Sequence, residues 1–570
     1  MLTKREKIIK ILLIVGTVLA ALKMIFVDYG MDEEYQIMMA YRNLNGDILF
    51  GNMWEPHQSS AFLCAAIMGI YHAVTGTYTG VILFMRLVTT FIQIALCIWI
   101  YRVIKRFVKA EYAFYITLIY FNVVPKLIEI PEFGNMQLWF WTVMFLSFIE
   151  FEINDKYKGN IIWLILAGLG MSLEVLSYPS SILIFPVALL FIAMRFGEHR
   201  VRNILTFGLT CVFCAGIWLT VIFSKVSPGE FFENVKNIIA FDYSHSLNVL
   251  ENNKLVELLA GIGKEAVLLF ICGLLAGMAV LIKYFLIDKR KAEDDLYIGF
   301  FVCLILFSEV IQLLYWTVLR GGYDRPQIHL LAPVAVMICL WKRAGDDRKF
   351  FSFGLVSAVV NIVAVLAVTN LEFCYSIPHA LIGTVSALVI ITMILSKLPG
   401  KKSLFWSRLL LISFALLTIF GKGFTLRGGR GSDITGVRGI MKEGPAIGIL
   451  GDYMCCYIYN SNYEDFRANV EPGDNVLIVT NMVFSPGTTP YMFVDADISH
   501  FSIVDPTSYD EKLLAYWEKF PEKQPNVIVV DCWYGELMED PDNWIMNYIE
   551  NDFGYRESSD GKYVRFYKRQ

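Results

Sequence analysis

Met31-Asp32-Glu33-Glu34-Tyr35 comes directly after the first long apolar run of the chain, Ile9 to Val27, and so lies at a membrane surface. Lys4, Arg5, Lys7 and Lys10 precede that run and hold the N-terminus in the cytoplasm, because basic residues stay on that side. The acids therefore emerge on the outer face. Beyond them follow Arg42, Gly46-Asp47 and Trp54-Glu55-Pro56-His57-Gln58, which make residues 28–59 a dense polar loop pressed on a bilayer. Such a loop at the head of a many-span chain points to chemistry on a lipid-borne substrate.

Composition supports a membrane protein. The chain is 56% hydrophobic and 18% charged, with mean hydropathy +0.52, where a soluble protein carries about a quarter charged residues. A net charge of −4 and the lack of a basic tail argue against a nucleic-acid partner. Most of the eleven cysteines fall in apolar runs, where thiols act as small hydrophobes. Cys374, Cys455-Cys456 and Cys532 lie outside, and a disulfide there would join one of the adjacent pair to Cys532. Cys211 and Cys214 form a CxxC inside a helix, which reads as structural. Leu19-Ala20-Ala21 offers a weak cleavage signal, but the length of the run and the spans that follow favour an uncleaved anchor.

Apolar runs alternate with short loops. Residues 60–74 are too short to cross and read as an interfacial helix. Spans follow at about 81–104, 111–129, 136–152, 160–176, 180–195, 203–224, 262–286, 296–319, 327–341, 351–371, 378–396 and 404–421. Every connection placed in the cytoplasm by this register is basic, for example Arg195/Arg200/Arg202 and Lys289-Arg290-Lys291. The fold expected is an α-helical polytopic membrane protein with about 13 transmembrane helices and the C-terminus outside.

Residues 1–421 form this membrane domain. From 422 to 570 the chain is polar and has no span. Val476 to Val479 and Val527 to Val530 read as buried strands, and Glu511 to Phe520 as a helix, which together predict an extracytoplasmic α/β domain. Three further outer stretches border the first loop. They are Glu129-Ile130-Pro131-Glu132-Phe133-Gly134-Asn135, the segment 225–258 with Asp242 and His245, and Arg320-Gly321-Gly322-Tyr323-Asp324-Arg325-Pro326.

An Asp-Glu pair after the first span, then Tyr35, Arg42, Gly46-Asp47 and an interfacial helix, resembles the GT-C membrane glycosyltransferases. It is most like their protein O-mannosyltransferase and aminoarabinose-transferase branch. The likeness runs over roughly the first 340 residues, with Arg86 opening the next span, the Tyr178-Pro179 turn, and Tyr323 to Pro333 entering a late span. The resemblance implies a polyprenyl-phosphate-linked sugar donor at the outer face and a first-loop aspartate at the reaction centre, which carries over to Asp32. Glu33 matches the second acid. The acceptor implied is an envelope glycan, glycolipid or protein. The outer loops are short and no carbohydrate-binding module is added, which weighs against protein.

Transfer from a lipid phosphate needs a base for the acceptor hydroxyl, positive charge for the departing phosphate, and a carboxylate near the cation-like anomeric carbon. Asp32 is the candidate general base, with Glu33 or Glu132 orienting the acceptor. Arg86, Arg320 and Arg325 are the candidate phosphate ligands. Arg42, His57 and Glu174 are candidate acceptor or sugar contacts. Each has a structural alternative: Asp32 can cap the helix after it, Glu33 can pair with Arg42, Arg86 can snorkel to headgroups, and Glu132 can be a loop acid. Asp32 with Glu132 or Asp242 could hold a divalent ion. A monophosphate leaving group needs less neutralisation, so no metal or cofactor is expected.

The leading function is an inverting glycosyltransferase of the plasma membrane. The alternative is a transporter or flippase of lipid-linked saccharides, which would show internal repeats with broken spans in matching halves; none is visible here.

Overall fold

In a bilayer every backbone polar group must be satisfied within the protein, so an apolar run of this length becomes a helix. The structure, a computed structural model, describes residues 4–55, 57–153, 161–195, 199–241, 254–286, 293–320, 322–323, 326–367, 372–398, 401–426, 433–479, 497–498, 510–531 and 544–569. The first part is helical: α1 (Lys4–Phe26), α2 (Met31–Leu44), α3 (Ala61–Thr75), α4 (Val81–Ile104), α5 (Ala110–Asn122), α6 (Phe133–Ile153), α7 (Ile161–Ser177), α8 (Ile184–Arg195) and α9 (Arg200–Phe223). There follow α10 (Pro228–Phe241), α11 (Lys254–Leu286), α12 (Glu293–Thr317), α13 (Ile328–Leu340), α14 (Ser352–Ala367), α15 (Phe373–Ser376), α16 (Leu381–Ser396) and α17 (Lys401–Phe424).

Nine helices among the described residues are long and apolar enough to cross a membrane. The other four expected spans are shorter helices: α5 and α13 with 13 residues each, α7 with 17 and α8 with 12. The span expected at 111–129 is the main correction. Its helix stops at Asn122, and Val123 to Glu132 form an irregular connection. Pro125 accounts for this, because it lacks an N–H and disfavours helix in the residue before it. Residues 225–258 also differ from a plain loop: α10 occupies Pro228–Phe241 and α11 begins at Lys254. Asp242 and His245 lie outside the described residues.

Helices α15 and α16 form the centre, with 94% of the apolar window buried, whereas α9 buries 6% and faces lipid. Lipid is as apolar as leucine, so helices here associate by close packing at small residues. A Cβ on Gly170 of α7 would stand 2.9 Å from the Met144 nitrogen and the Phe140 carbonyl oxygen of α6. Backbone cannot yield as a side chain can. Gly170→Val is therefore expected to destabilise the protein by about 1–3 kcal/mol through overpacking, read as a lower melting temperature in detergent; an unchanged melting point would refute this crossing.

After α17 comes the α/β domain. A hairpin of β1 (Val437–Ile440) and β2 (Leu450–Asp452) leads into α18 (Tyr453–Asn469), whose N-terminus is capped by the Asp452 carboxylate accepting from the Met454 and Cys455 N–H groups. The remaining elements are β3 (Asn475–Val479), β4 (Asp497–Ile498), α19 (Asp510–Lys519), β5 (Val527–Asp531), α20 (Trp544–Asn547), β6 (Glu557–Asp560) and β7 (Val564–Lys568). They build a five-stranded sheet in the order β4-β3-β5-β7-β6, with β3 parallel to β4 and β5. Val476, Ile478, Val527 and Val529 face α18; Leu477, Val479, Ile528 and Val530 face α19. Burial on both faces explains the unbroken apolar runs in the sequence. Among the described residues Cys455 and Cys456 form no disulfide, and Cys532, the partner expected for one of them, lies outside those residues.

The α18 face of the sheet shares an apolar cluster with Ile37, Met38 and Tyr41 of α2 and Met68 of α3. The domain thus sits on the first loop, at the end of the bundle where α1 and α5 finish and α4 and α6 begin. This is the domain end.

Candidate active site

Helix α2 starts at Gly30, which has extended backbone and no side-chain cap. Asp32, Glu33 and Glu34 occupy its first turn, where negative charge complements the helix dipole. Glu33 is buried against Arg86 of α4, whose Nε and Nη2 donate to its two oxygens at 2.8 and 2.6 Å. The remaining Arg86 donors reach the carbonyls of Met24 at 3.2 Å, Ile25 at 3.0 Å and Asp28 at 2.6 Å. Arg86 thereby closes the end of α1 and ties it to α2. The alternative pairing of Glu33 with Arg42 does not form, since Arg42 lies two turns and more along the same helix and turns away from it. Removing Arg86 leaves Glu33 buried and uncompensated. Arg86→Met is expected to cost about 3–5 kcal/mol, and Glu33→Gln added to it should restore part of that loss in thermal melting. Full retention of stability in the single variant would contradict this role.

Asp32 points elsewhere. Its Oδ2 is 3.4 Å from the Lys126 Nζ, and the same ammonium stands 3.5 Å from Glu132 Oε1. Lys126 also lies 4.2 Å over the centre of the Phe133 ring. The second Glu132 oxygen accepts the N–H groups of Gly134 at 2.9 Å and Asn135 at 3.2 Å, at the start of α6. Glu132 is fully buried, while the Asp32 side chain is 24% exposed. The arrangement is acid, ammonium, acid, with one acid held by backbone and the other partly exposed.

Backbone strain accompanies it. Among the described residues, the non-glycine positions with positive φ are Asp28, Phe50, His57, Lys126, Leu127 and Arg320. All belong to connections at the domain end, and each such conformation costs about 1–3 kcal/mol. Lys126, with φ 54° and ψ 11°, is followed by Leu127 at φ 51°. This double left-handed turn carries the ammonium back under α2.

An aromatic wall flanks the triad. The His57 ring stacks on Phe133 with centroids 4.4 Å apart and planes at 7°, and Tyr178 lies 5.0 Å from His57. Tyr35 packs against Phe133 and Tyr178. Gly134 is required here, since a Cβ would come 2.6 Å from His379 Cε1. His379 Nδ1 lies 2.8 Å from Gln137 Oε1, and Gln137 donates to Ser181 at 2.8 Å and Asn361 at 2.7 Å. Glu174 is buried beneath Tyr178, whose N–H donates to the Glu174 carbonyl at 2.8 Å.

Arg42 and Arg320 have other partners. Arg42 is buried with Asp47 at 2.5 Å and Glu55, and donates to the Asn52 carbonyl at 3.0 Å. Burial opposes its charge, but Glu55 and then Asp47 outweigh it and hold the guanidinium well above its usual range. Arg42 is therefore a structural centre of the loop. Arg320 is exposed and acts on Asp433, whose carboxyl is held below its usual value first by the Thr435 hydroxyl and N–H. Arg325 lies outside the described residues. Among the described residues no group of three His, Cys, Asp or Glu side chains could hold a metal ion; Lys126 stands between Asp32 and Glu132.

Sequence reasoning missed Lys126 and also Lys422, which donates to the Phe121 carbonyl at 3.1 Å and lies 3.8 Å from Glu129. Lys126 was absorbed in a nominal span. The usable signal was a lysine beside a proline inside an otherwise apolar run.

No family model matches the sequence, and no curated protein matches it. Among solved structures the chain is similar to ArnT from Cupriavidus metallidurans bound to undecaprenyl phosphate, at 11% identity and a TM-score of 0.51, over 98% of this chain and 97% of that one. The apo state of the same protein gives 10% identity and 0.40 over the same shares. The Archaeoglobus fulgidus oligosaccharyltransferase, in complex with Zn and sulfate, gives 12% and 0.38 over 94% of this chain and 70% of that one. The first likeness runs end to end through both the helical bundle and the domain after it. The chain has the fold of that ArnT structure.

Proposed function

We propose that the protein is a glycosyltransferase that moves a sugar from a polyprenyl-phosphate donor to an envelope acceptor on the outer face of the plasma membrane. The carrying observation is the Asp32–Lys126–Glu132 triad beside the aromatic wall. A solved protein of the same fold is bound to undecaprenyl phosphate, which supports a lipid phosphate as the ligand here. Lys126 supplies the positive charge for the departing phosphate, a compact ammonium between two acids that release it when the donor arrives. Asp32, the more exposed acid, takes the proton of the acceptor hydroxyl as that oxygen attacks the anomeric carbon. Glu132 keeps Lys126 in place from below. His57, Phe133 and Tyr178 offer a flat apolar surface to the sugar ring, and Glu174 lies beneath it. Arg86 and Glu33 build the corner on which α2 stands. One base and one leaving phosphate make a single displacement, so the anomeric configuration inverts.

The test uses purified protein in lipid with a panel of polyprenyl-phosphate sugars and crude envelope acceptors, followed by mass spectrometry. Consumption of one donor only in the presence of acceptor, with an inverted product by NMR, supports the reading. Movement of labelled lipid across the bilayer without donor consumption rejects it in favour of transport.

A further inference from the structure

We infer that the α/β domain is a clamp on α2, gripping both ends of the helix that carries Asp32 and thereby positioning that carboxyl over Lys126. The kinetic part of this inference rests on the transferase reading; the mechanical part does not. Helix α2 has 14 residues and no side-chain N-cap, and a helix that short is marginal by itself. At its N-terminal side the Asp28 N–H donates to the Leu450 carbonyl of β2 at 2.8 Å, and Val27 forms a bridge with the same residue. Tyr29 meets the Tyr459 ring of α18 edge-on at 6.5 Å. At its C-terminal side Arg42 binds Asp47, and Asp47 Oδ1 is 2.6 Å from the Lys523 Nζ. The Tyr516 hydroxyl of α19 donates to the Asn52 carbonyl at 2.5 Å and accepts from Arg42 at 3.4 Å. Arg42 and Lys523 balance Asp47 and Glu55, and all four are buried. Between these ends, Ile37 and Tyr41 share the apolar cluster of Tyr459 and Val476.

The gripping residues are hundreds of positions away in the chain, whereas Lys126 belongs to a separate connection. Loosening either end of α2 therefore moves Asp32 relative to Lys126 without touching Lys126 itself. A displacement of about 1 Å at a reacting group can cost on the order of 100-fold in rate. The domain accordingly acts through kcat, and Lys523 and Tyr516 are positioning residues.

The test compares the native full-length chain in lipid nanodiscs with Lys523→Met, Lys523→Arg and Tyr516→Phe. Hydrogen exchange of residues 31–44 should quicken on the order of ten-fold in Lys523→Met, where two buried acids face one cation, and stay near native in Lys523→Arg. Exchange in β3 and β5 should not change. With the donor found by the panel, kcat should fall on the order of ten-fold or more while donor KM stays within about three-fold, and Lys523→Arg should recover most of it. Tyr516→Phe removes two hydrogen bonds without changing charge and should shift both readouts in the same direction if Lys523→Met fails to fold. Native exchange in 31–44 with an intact sheet overturns the clamp. Faster exchange with unchanged kcat overturns its positioning role. A native chain that consumes no donor defeats the transferase reading instead, and the exchange result still decides whether the clamp exists.

Discussion

Lys126→Met is expected to lower kcat/KM by about 10³-fold while the protein stays folded. That factor corresponds to about 4 kcal/mol of transition-state stabilisation, the scale of losing one preorganised charge at a developing anion. Lys126 is the cation that the structure places between Asp32 and Glu132, at 3.4 and 3.5 Å. The substitution is a fair chemical test because the backbone strain at position 126 is the same for both side chains. Methionine keeps an unbranched apolar stem and removes only the ammonium that lies over Phe133. Lys126→Arg should recover only part of the rate. It restores the charge, but a planar fork presents its donors differently from a compact ammonium. Steady-state kinetics with the donor and direct binding of undecaprenyl phosphate would check this, and both should weaken in Lys126→Met. Retention of kcat/KM within about three-fold would remove Lys126 from the phosphate site.

The membrane domain, the short helix at 61–75 and the strands at 476–479 and 527–530 were legible because they report local periodicity and length. An apolar run is either long enough to cross or not, and a strand buried on both faces shows as continuous Val, Leu and Ile. The placement of Asp32 just past a span was legible for a related reason: three acids together after an apolar run are conspicuous. Partnership was not legible. Arg86 finds Glu33 across 53 positions, and Tyr516 finds Asn52 across 464; no spacing rule connects such residues. The pairing of Arg42 with Asp47 and Glu55, which follow it in the same polar loop, shows only in the folded chain. Lys126 was concealed by the apolar residues on either side, which extended a helix past Asn122 on paper although Pro125 breaks it. The charged residues that define the site are thus those whose meaning depends on tertiary pairing.

Asp32→Asn is the sharper experiment on the reaction itself. The substitution keeps size and shape, removes the proton acceptor, and is expected to lower kcat by about 10³- to 10⁴-fold, near the upper range for general base catalysis. Donor KM should change little, because Lys126 and the aromatic wall remain. Stability should shift by less than about 1 kcal/mol, since an ion pair that is partly exposed contributes little, and the Asp32 side chain is 24% exposed. Glu132→Gln should differ in also costing stability. Its carboxylate is fully buried and accepts two backbone N–H groups, so the amide leaves Lys126 with one acid and disturbs the start of α6. That variant should lose stability along with rate. If Asp32→Asn instead retained turnover within about three-fold and Glu132→Gln abolished it in a folded protein, the base would be Glu132 and Asp32 would serve only to hold Lys126. The contrast between an open acid and a buried one is what lets two substitutions, measured for both kcat and melting temperature, assign the proton to one oxygen.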